Sequence, residues 1–384
     1  MYRIALKMLF GDTGKYISMI VGISFSTLIM TQQPSILVGL LSRTYSFIRD
    51  VSLPDIWVMD NGVQFVEENK PLRDIELNRV RGIDGVAWAV PLYKGLMRAK
   101  LPDGSTKTLD IAGIDDATLI GAPATIIQGS LSDFRRPDAI FVDQEAANTR
   151  LRVRVSETQT RPLAIGDVIE LNDKRAQIAG YIKATRNFVM QPQAYTTYTR
   201  AVSYSASGRR HLTYILVKVK EGEDPNQICT RISQKTGLRA ETAKEFSDTN
   251  LNYWMKSTGI PINFGISVLL GFIVGTAVVG QTFFNFVSEN IKHYAVLKAM
   301  GLRNALLAKM VMLQACVVGV IGYGIGVGLA SLFAIKFNDS VLAVRMPPIL
   351  LLFSGLGVLF IILTAAIISV RRVIRVDPAL VFRG

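Results

Sequence analysis

Polar and apolar positions along this chain separate into blocks. Residues 16–42, 257–288, 310–335 and 346–370 contain no Asp, Glu, Lys or Arg, over lengths of 27, 32, 26 and 25. A bilayer-spanning helix needs about 20 mainly apolar residues, so each block predicts a transmembrane helix. The 43 Lys and Arg and the 30 Asp and Glu all lie outside these blocks. Residues 117–132 are also uncharged, but they are only 16 long and hold Gly121, Pro123 and Gly129. They predict a buried loop.

The 214 residues from 43 to 256 read as mixed α/β. Strands are predicted at 55–60, at 86–90 ending at Pro91, at 138–143 and at 212–219, with short helices at 75–81 and 144–150. Pro102-Asp103-Gly104-Ser105 predicts a hairpin between 96–101 and 106–114. Asn172-Asp173 predicts another between 169–171 and 176–182. Asp224 is placed to cap a helix over 225–236. A two-lobed arrangement is compatible with this pattern.

The chain is thus expected to be a membrane α-helical protein with four transmembrane helices and a large α/β extracytoplasmic domain between helices 1 and 2. The divisions are an interfacial helix at 1–15, spans at 16–42, 257–288, 310–335 and 346–370, the domain at 43–256, a loop at 289–309, an outer loop at 336–345 and a tail at 371–384. Tyr2, Leu6, Leu9 and Phe10 lie at helical spacing opposite Arg3 and Lys7, which suits an interfacial helix. Thr31-Gln32-Gln33-Pro34 is a poor signal-peptide cleavage site, so the first span is read as uncleaved. Gln32, Gln33 and Pro34 there suit either a helix–helix contact or a polar lining.

Net charge is +13, with 49% hydrophobic and 19% charged residues. This composition excludes disorder and collagen, and two cysteines (Cys229 and Cys316) exclude a disulfide scaffold. Basic residues mark cytoplasmic loops. Arg3, Lys7 and Lys15 precede the first span. Lys292, Lys298, Arg303 and Lys309 follow the second. Arg371, Arg372, Arg375 and Arg383 follow the fourth, whereas 336–345 holds only Lys336 and Arg345. Both termini and the 289–309 loop are therefore expected in the cytoplasm. The outer segment carries 30 basic and 26 acidic residues, so the basic excess reports orientation and no nucleic-acid partner is expected.

Catalytic signatures fail. Gly11 and Gly14-Lys15 miss the phosphate-loop pattern, since Leu9 and Tyr16 occupy required positions. His211 and His293 are the only histidines and are predicted on opposite sides of the membrane. His211, beside Arg209 and Arg210, reads as a surface residue or a ligand. Arg150, Arg152 and Arg154 would share one strand face, either solvated or meeting an anion. No charged group lies within the spans, so energy is expected from outside the chain.

Ser288-Glu289-Asn290-Ile291-Lys292-His293-Tyr294-Ala295-Val296-Leu297-Lys298-Ala299-Met300-Gly301-Leu302-Arg303 resembles the signature after the second span of MacB/FtsX/LolC-type ABC transporter permeases. Its wording is closest to the DevC-like branch. The span order, Asp55–Asp60, Gly85-Val86 with Pro91, Gly166-Asp167 and the Arg371-Arg372…Asp377-Pro378-Ala379-Leu380 ending are similar to that family too. His293 departs from an acidic position. The resemblance implies a non-enzymatic permease subunit with no cofactor of its own, ATP and Mg being held by a separate ABC ATPase dimer. Glu289, Lys292, Tyr294, Val296, Leu297, Lys298, Met300 and Gly301 would form the coupling helix. Mechanotransmission would run through stalks at 43–51 and 241–256, exporting or extracting a hydrophobic or amphipathic substrate. A second permease copy is implied, with a membrane-fusion protein and outer-membrane channel left open. The alternative is an FtsX-like signalling scaffold that activates a cell-wall hydrolase. The glycines of the third span (Gly319, Gly322, Gly324, Gly326, Gly328) suit close helix packing.

Overall fold

The computed structural model describes residues 2–51, 53–205, 211–337 and 342–376. Arg209, Arg210, Arg383, residues 338–341 and the Asp377-Pro378-Ala379-Leu380 ending lie outside the described residues. The chain divides into two units, Met1–Leu40 with Thr258–Gly384, and Leu41–Ser257.

Helix α1 (Tyr2–Gly11) precedes α2 (Thr13–Thr44). Asp12 separates them and caps the first turn of α2, accepting from the Lys15 amide at 3.3 Å and from Lys15 Nζ at 2.8 Å. Tyr2 and Phe10 are exposed, but Ala5 and Leu9 are fully buried in the core of the first unit. One face of α1 is therefore packed, and the Ala5 carbonyl on it accepts from Gln314 Nε2 at 2.8 Å. Pro34 lies inside α2 without ending it, and Gln32 and Gln33 are half-buried.

The second unit opens with α3 (Ser46–Asp50), β1 (Ile56–Met59), β2 (Leu72–Arg73) and α4 (Asp74–Arg81). Then come β3 (Val86–Lys100), β4 (Thr106–Ile114), β5 (Ile126–Gln128), β6 (Ala139–Asp143) and α5 (Gln144–Asn148). Next are β7 (Val153–Arg154), β8 (Thr160–Arg161), β9 (Val168–Leu171), β10 (Lys174–Ile182), β11 (Gln193–Thr197) and α6 (Tyr198–Tyr204). It closes with β12 (His211–Leu212), β13 (Tyr214–Val219), α7 (Pro225–Thr236), β14 (Arg239–Thr242) and α8 (Ala243–Ser257). Ten strands form one sheet, in the order β14-β1-β13-β3-β4-β11-β6-β10-β5 with β9 against β10 and β3.

Strand β3 joins two half-sheets. It pairs with β13 from Val86 to Leu92 and with β4 from Tyr93 to Lys100. The strand expected to end at Pro91 therefore continues. Proline cannot donate to a ladder, and Pro91 sits where β3 is about to change neighbours. The β3–β4 turn is closed by Leu101 N to Ser105 O at 2.8 Å, with Gly104 at φ +80°. Asn172 and Asp173 both have positive φ, as a two-residue hairpin turn requires. Asp224 accepts from Asn226 N at 3.1 Å and caps α7. The loop at 117–132 is buried at Leu119, Gly121 and Pro123 but largely exposed from Ala124 on, where β5 forms a sheet edge; its apolar content overstated its burial. Glu241 and Thr242, read as stalk, belong to β14.

The first unit resumes with α9 (Ile260–Glu289), α10 (Ile291–Ala299), α11 (Asn304–Phe337) and α12 (Pro348–Ile374). Helices α2, α9, α11 and α12 are long and apolar enough to cross a membrane. Three glycines of α11 lie against neighbours. A Cβ at Gly322 would meet Ile23 Cβ at 2.7 Å, one at Gly326 would meet Thr27 Cβ at 2.5 Å, and one at Gly319 would strike Ile362. Gly324 and Gly328 face open space among the described residues.

Candidate functional site

Helix α10 is short because both ends are set locally. Asn290 interrupts the run from α9. At the other end Gly301 takes φ +89°, its amide donates to Lys298 O at 3.0 Å, and Leu302 N donates to Leu297 O at 3.2 Å. This is a Schellman ending, which needs a left-handed residue after the cap.

One face of α10 is turned inward. The Tyr294 side chain is fully buried, and its hydroxyl donates to Gln314 Oε1 at 2.9 Å. Gln314 Nε2 donates to Ala5 O at 2.8 Å. A single chain of hydrogen bonds thus links α10, α11 and α1. Burial pushes the Tyr294 hydroxyl up to about 12, so it stays a donor. Leu297 is buried in the same core. Lys298 Nζ donates to Ile374 O at 2.7 Å and Val376 O at 2.9 Å, occupying carbonyls that the end of α12 leaves unpaired.

The other face is open. Lys292, His293, Val296, Ala299, Met300 and Gly301 are exposed, Val296 by 41% and Met300 by 65%. Lys292, Val296 and Met300 recur every four residues, so they share one stripe. Glu289 is exposed and ion-paired to Lys15, whose ammonium also binds Asp12 at 2.8 Å and holds that carboxyl below its usual range. Beside this pair lies a cavity of about 690 Å³, lined by Lys7, Met8, Asp12, Glu289, Asn290 and His293 among others. The eight residues expected in the coupling helix therefore divide. Glu289, Lys292, Val296, Met300 and Gly301 are presented, while Tyr294, Leu297 and Lys298 hold the helix in place. Gln314 was not singled out from the sequence, and Lys15 was read there only as a basic residue before the first span and in the failed phosphate-loop pattern. Gln314 was readable there as a polar residue inside an uncharged span.

The outer unit holds a second unpredicted feature. Lys94 and Asp110 are buried and paired at 2.5 Å, and Asn187 Nδ2 donates to Asp110 at 2.9 Å. Lys94 Nζ lies 4.3 Å from the Phe47 ring centroid, and Phe47 packs on Trp57 and Tyr195. Both carboxylate oxygens of nearby Glu67 are buried without a hydrogen-bond partner among the described residues. The other candidates are unremarkable. Arg152 is committed to Thr160 and Asn148, and Arg150 and Arg154 are exposed. His211 is half-buried in the β2–β12 pair.

Residues 17–235, more than half of the chain, match the family described as MacB-like periplasmic core domain. Residues 265–378 match FtsX-like permease C-terminal. An uncharacterized ABC transporter permease of Mycobacterium tuberculosis is 25% identical over 316 residues, 82% of this chain and 80% of the relative. A probable export ATP-binding/permease protein MacB of Pseudomonas entomophila is 22% identical over 263 residues, 65% of this chain and 38% of that protein. The periplasmic region of MacB from Actinobacillus actinomycetemcomitans is similar over 53% of this chain and 94% of its own, with 13% identity and a TM-score of 0.38.

Proposed function

The chain belongs to the MacB/FtsX-type ABC transporter permeases, and from that premise we propose that it couples ATP hydrolysis by a separate ABC ATPase dimer to movement of its outer domain. The observation that carries this reading is the exposed Lys292–Val296–Met300 stripe on a helix anchored from behind by Tyr294. A rigid helix with an apolar-and-basic outer face is suited to fit a groove and transmit displacement. His293 and Glu289, at the cavity beside α1, would add polar contacts. The chain passes between its two units at only two places, 40–41 and 257–258. Motion delivered to α10 would travel to the outer unit through α2 and α9, with α3 and α8 as stalks.

The reading places α1 and α10 on the cytoplasmic side of a bacterial inner membrane, in keeping with the basic residues there. The work done would be export or extraction of a hydrophobic or amphipathic substrate from the outer side. Two permease copies are expected. Gly324 and Gly328, four residues apart with open space before them, suit close approach of a second copy. A membrane-fusion protein and outer-membrane channel would complete a tripartite exporter.

The test is reconstitution of the full chain with its ATPase in lipid. Val296→Asp with Met300→Asp should weaken complex formation by on the order of tenfold or more, as loss of interface anchors does, and lower ATP turnover in step. Unchanged binding and turnover would refute the coupling role.

A further inference from the structure

The apolar run of the fourth span stops at Arg371, and Arg372 and Arg375 follow within the same turn and a half. These three arginines, with Phe284, Ile291 and Ile368, line a cavity of about 660 Å³ in the first unit. The Arg372 guanidinium lies over the Phe284 ring at 4.7 Å from its centroid. That contact holds one charge against an apolar wall. None of the three arginines forms an ion pair among the described residues. The carbonyls of Ile374 and Val376, beside Arg375 in the chain, are engaged by Lys298 Nζ. Three exposed arginines, one of them held on Phe284, thus border a cavity whose lining among the described residues carries no acidic side chain and is otherwise hydrocarbon.

The complement of such a cavity is a phosphate joined to acyl chains. Its position supports the same occupant: Phe284 lies near the end of one span helix and Ile368 and Arg371 near the end of another, where phospholipid phosphates meet the hydrocarbon. Basic pockets between spans are a recurrent form of headgroup recognition. We propose that this cavity is a binding site for one anionic phospholipid of the leaflet at this end of the spans. The lipid's phosphate sits between Arg371, Arg372 and Arg375, and its chains lie along Phe284 and Ile368. The site is distinct from the exposed stripe of α10 and does not depend on the coupling reading.

The experiment uses the full chain in detergent, with phosphatidylglycerol or phosphatidylcholine added and bound lipid counted by native mass spectrometry. Phosphatidylglycerol should be retained and phosphatidylcholine should not. R371Q/R372Q/R375Q should lower retention on the order of 100-fold, three basic residues each contributing severalfold near an anionic lipid. The control K336Q/R345Q, which removes basic residues from the other end of the spans, should retain it. Phe284→Leu keeps the apolar wall but removes the cation–π contact, so it should weaken retention severalfold in a protein whose arginines are intact. Equal retention by the triple variant, or equal binding of phosphatidylcholine, would overturn the proposal. Displacement of the lipid by millimolar glycerol phosphate would show that a free phosphate suffices and would overturn it as well. Loss of the lipid on adding the ATPase would assign the arginines to an acidic protein partner instead.

Discussion

Tyr294 donates its hydroxyl proton to Gln314 Oε1 at 2.9 Å, and both side chains are fully buried. Removing one partner leaves the other unpaired in an apolar core, which costs about 1–3 kcal/mol. Tyr294→Phe should therefore destabilise the chain by about that amount. Tyr294→Phe with Gln314→Leu should cost less than the sum of the single changes, because Ala5 O alone is left unpaired. Thermal unfolding in nanodiscs measures all three. Additive losses would mean that the hydrogen bond contributes nothing.

Leu297 and Met300 are three residues apart but differ in exposure, at 7% and 65%. Leu297→Asp buries an unpaired carboxylate and should reduce folded yield and melting temperature. Met300→Asp should leave stability within about 0.5 kcal/mol of the parent while weakening ATPase association. Similar melting losses in the two variants would show that Met300 is not presented as described.

The spans, both hairpins, the α7 cap and the Gly301 ending were legible in the sequence because each rests on local chemistry. Absence of charge, turn residues, a capping Asp and a left-handed Gly each act within a few positions. The inward face of α10 was not legible. Tyr294 and Leu297 look as suited to a partner as Val296 and Met300 until Ala5 and Gln314, remote in sequence, are brought beside them. Continuation of β3 through Pro91 was hidden for a similar reason, since it depends on where β13 stops pairing and β4 begins. Lys94 and Asp110 gave no signal, because a charged residue in a strand is usually at its solvated face.

The Lys94–Asp110 pair yields a sharper stability prediction than any surface ion pair. Breaking a buried pair from one side costs about 3–5 kcal/mol, whereas replacing both partners by apolar groups is often neutral. Lys94→Met should unfold the outer unit at much lower denaturant, and Lys94→Met with Asp110→Leu should recover most of the loss. Trp57, Trp88 and Trp254 are the only tryptophans in the chain and all belong to this unit. Intrinsic fluorescence of the full-length protein therefore reports its unfolding selectively. A double variant as weak as the single one would contradict the prediction.

Glu67 makes the same unit sensitive to pH. Burial pushes its carboxyl up to about 7, with Asp110 adding to the rise and Lys94 opposing it. Between the unfolded value of about 4.3 and about 7, the folded chain holds a proton that the unfolded chain has released. Stability contributed at this site is therefore greatest at low pH, falls as pH rises through that window and levels off above it. Glu67→Gln keeps the side chain neutral at every pH. It should remove this slope and stabilise the outer unit at pH 8 by on the order of 3 kcal/mol. Asp50 and Asp143, whose carboxyls burial also raises, act alike in both proteins and cancel in the comparison. Urea midpoints from tryptophan emission at pH 5, 6, 7 and 8 measure the effect. If the parent and Glu67→Gln run parallel across that range, Glu67 does not carry a raised carboxyl in the folded protein.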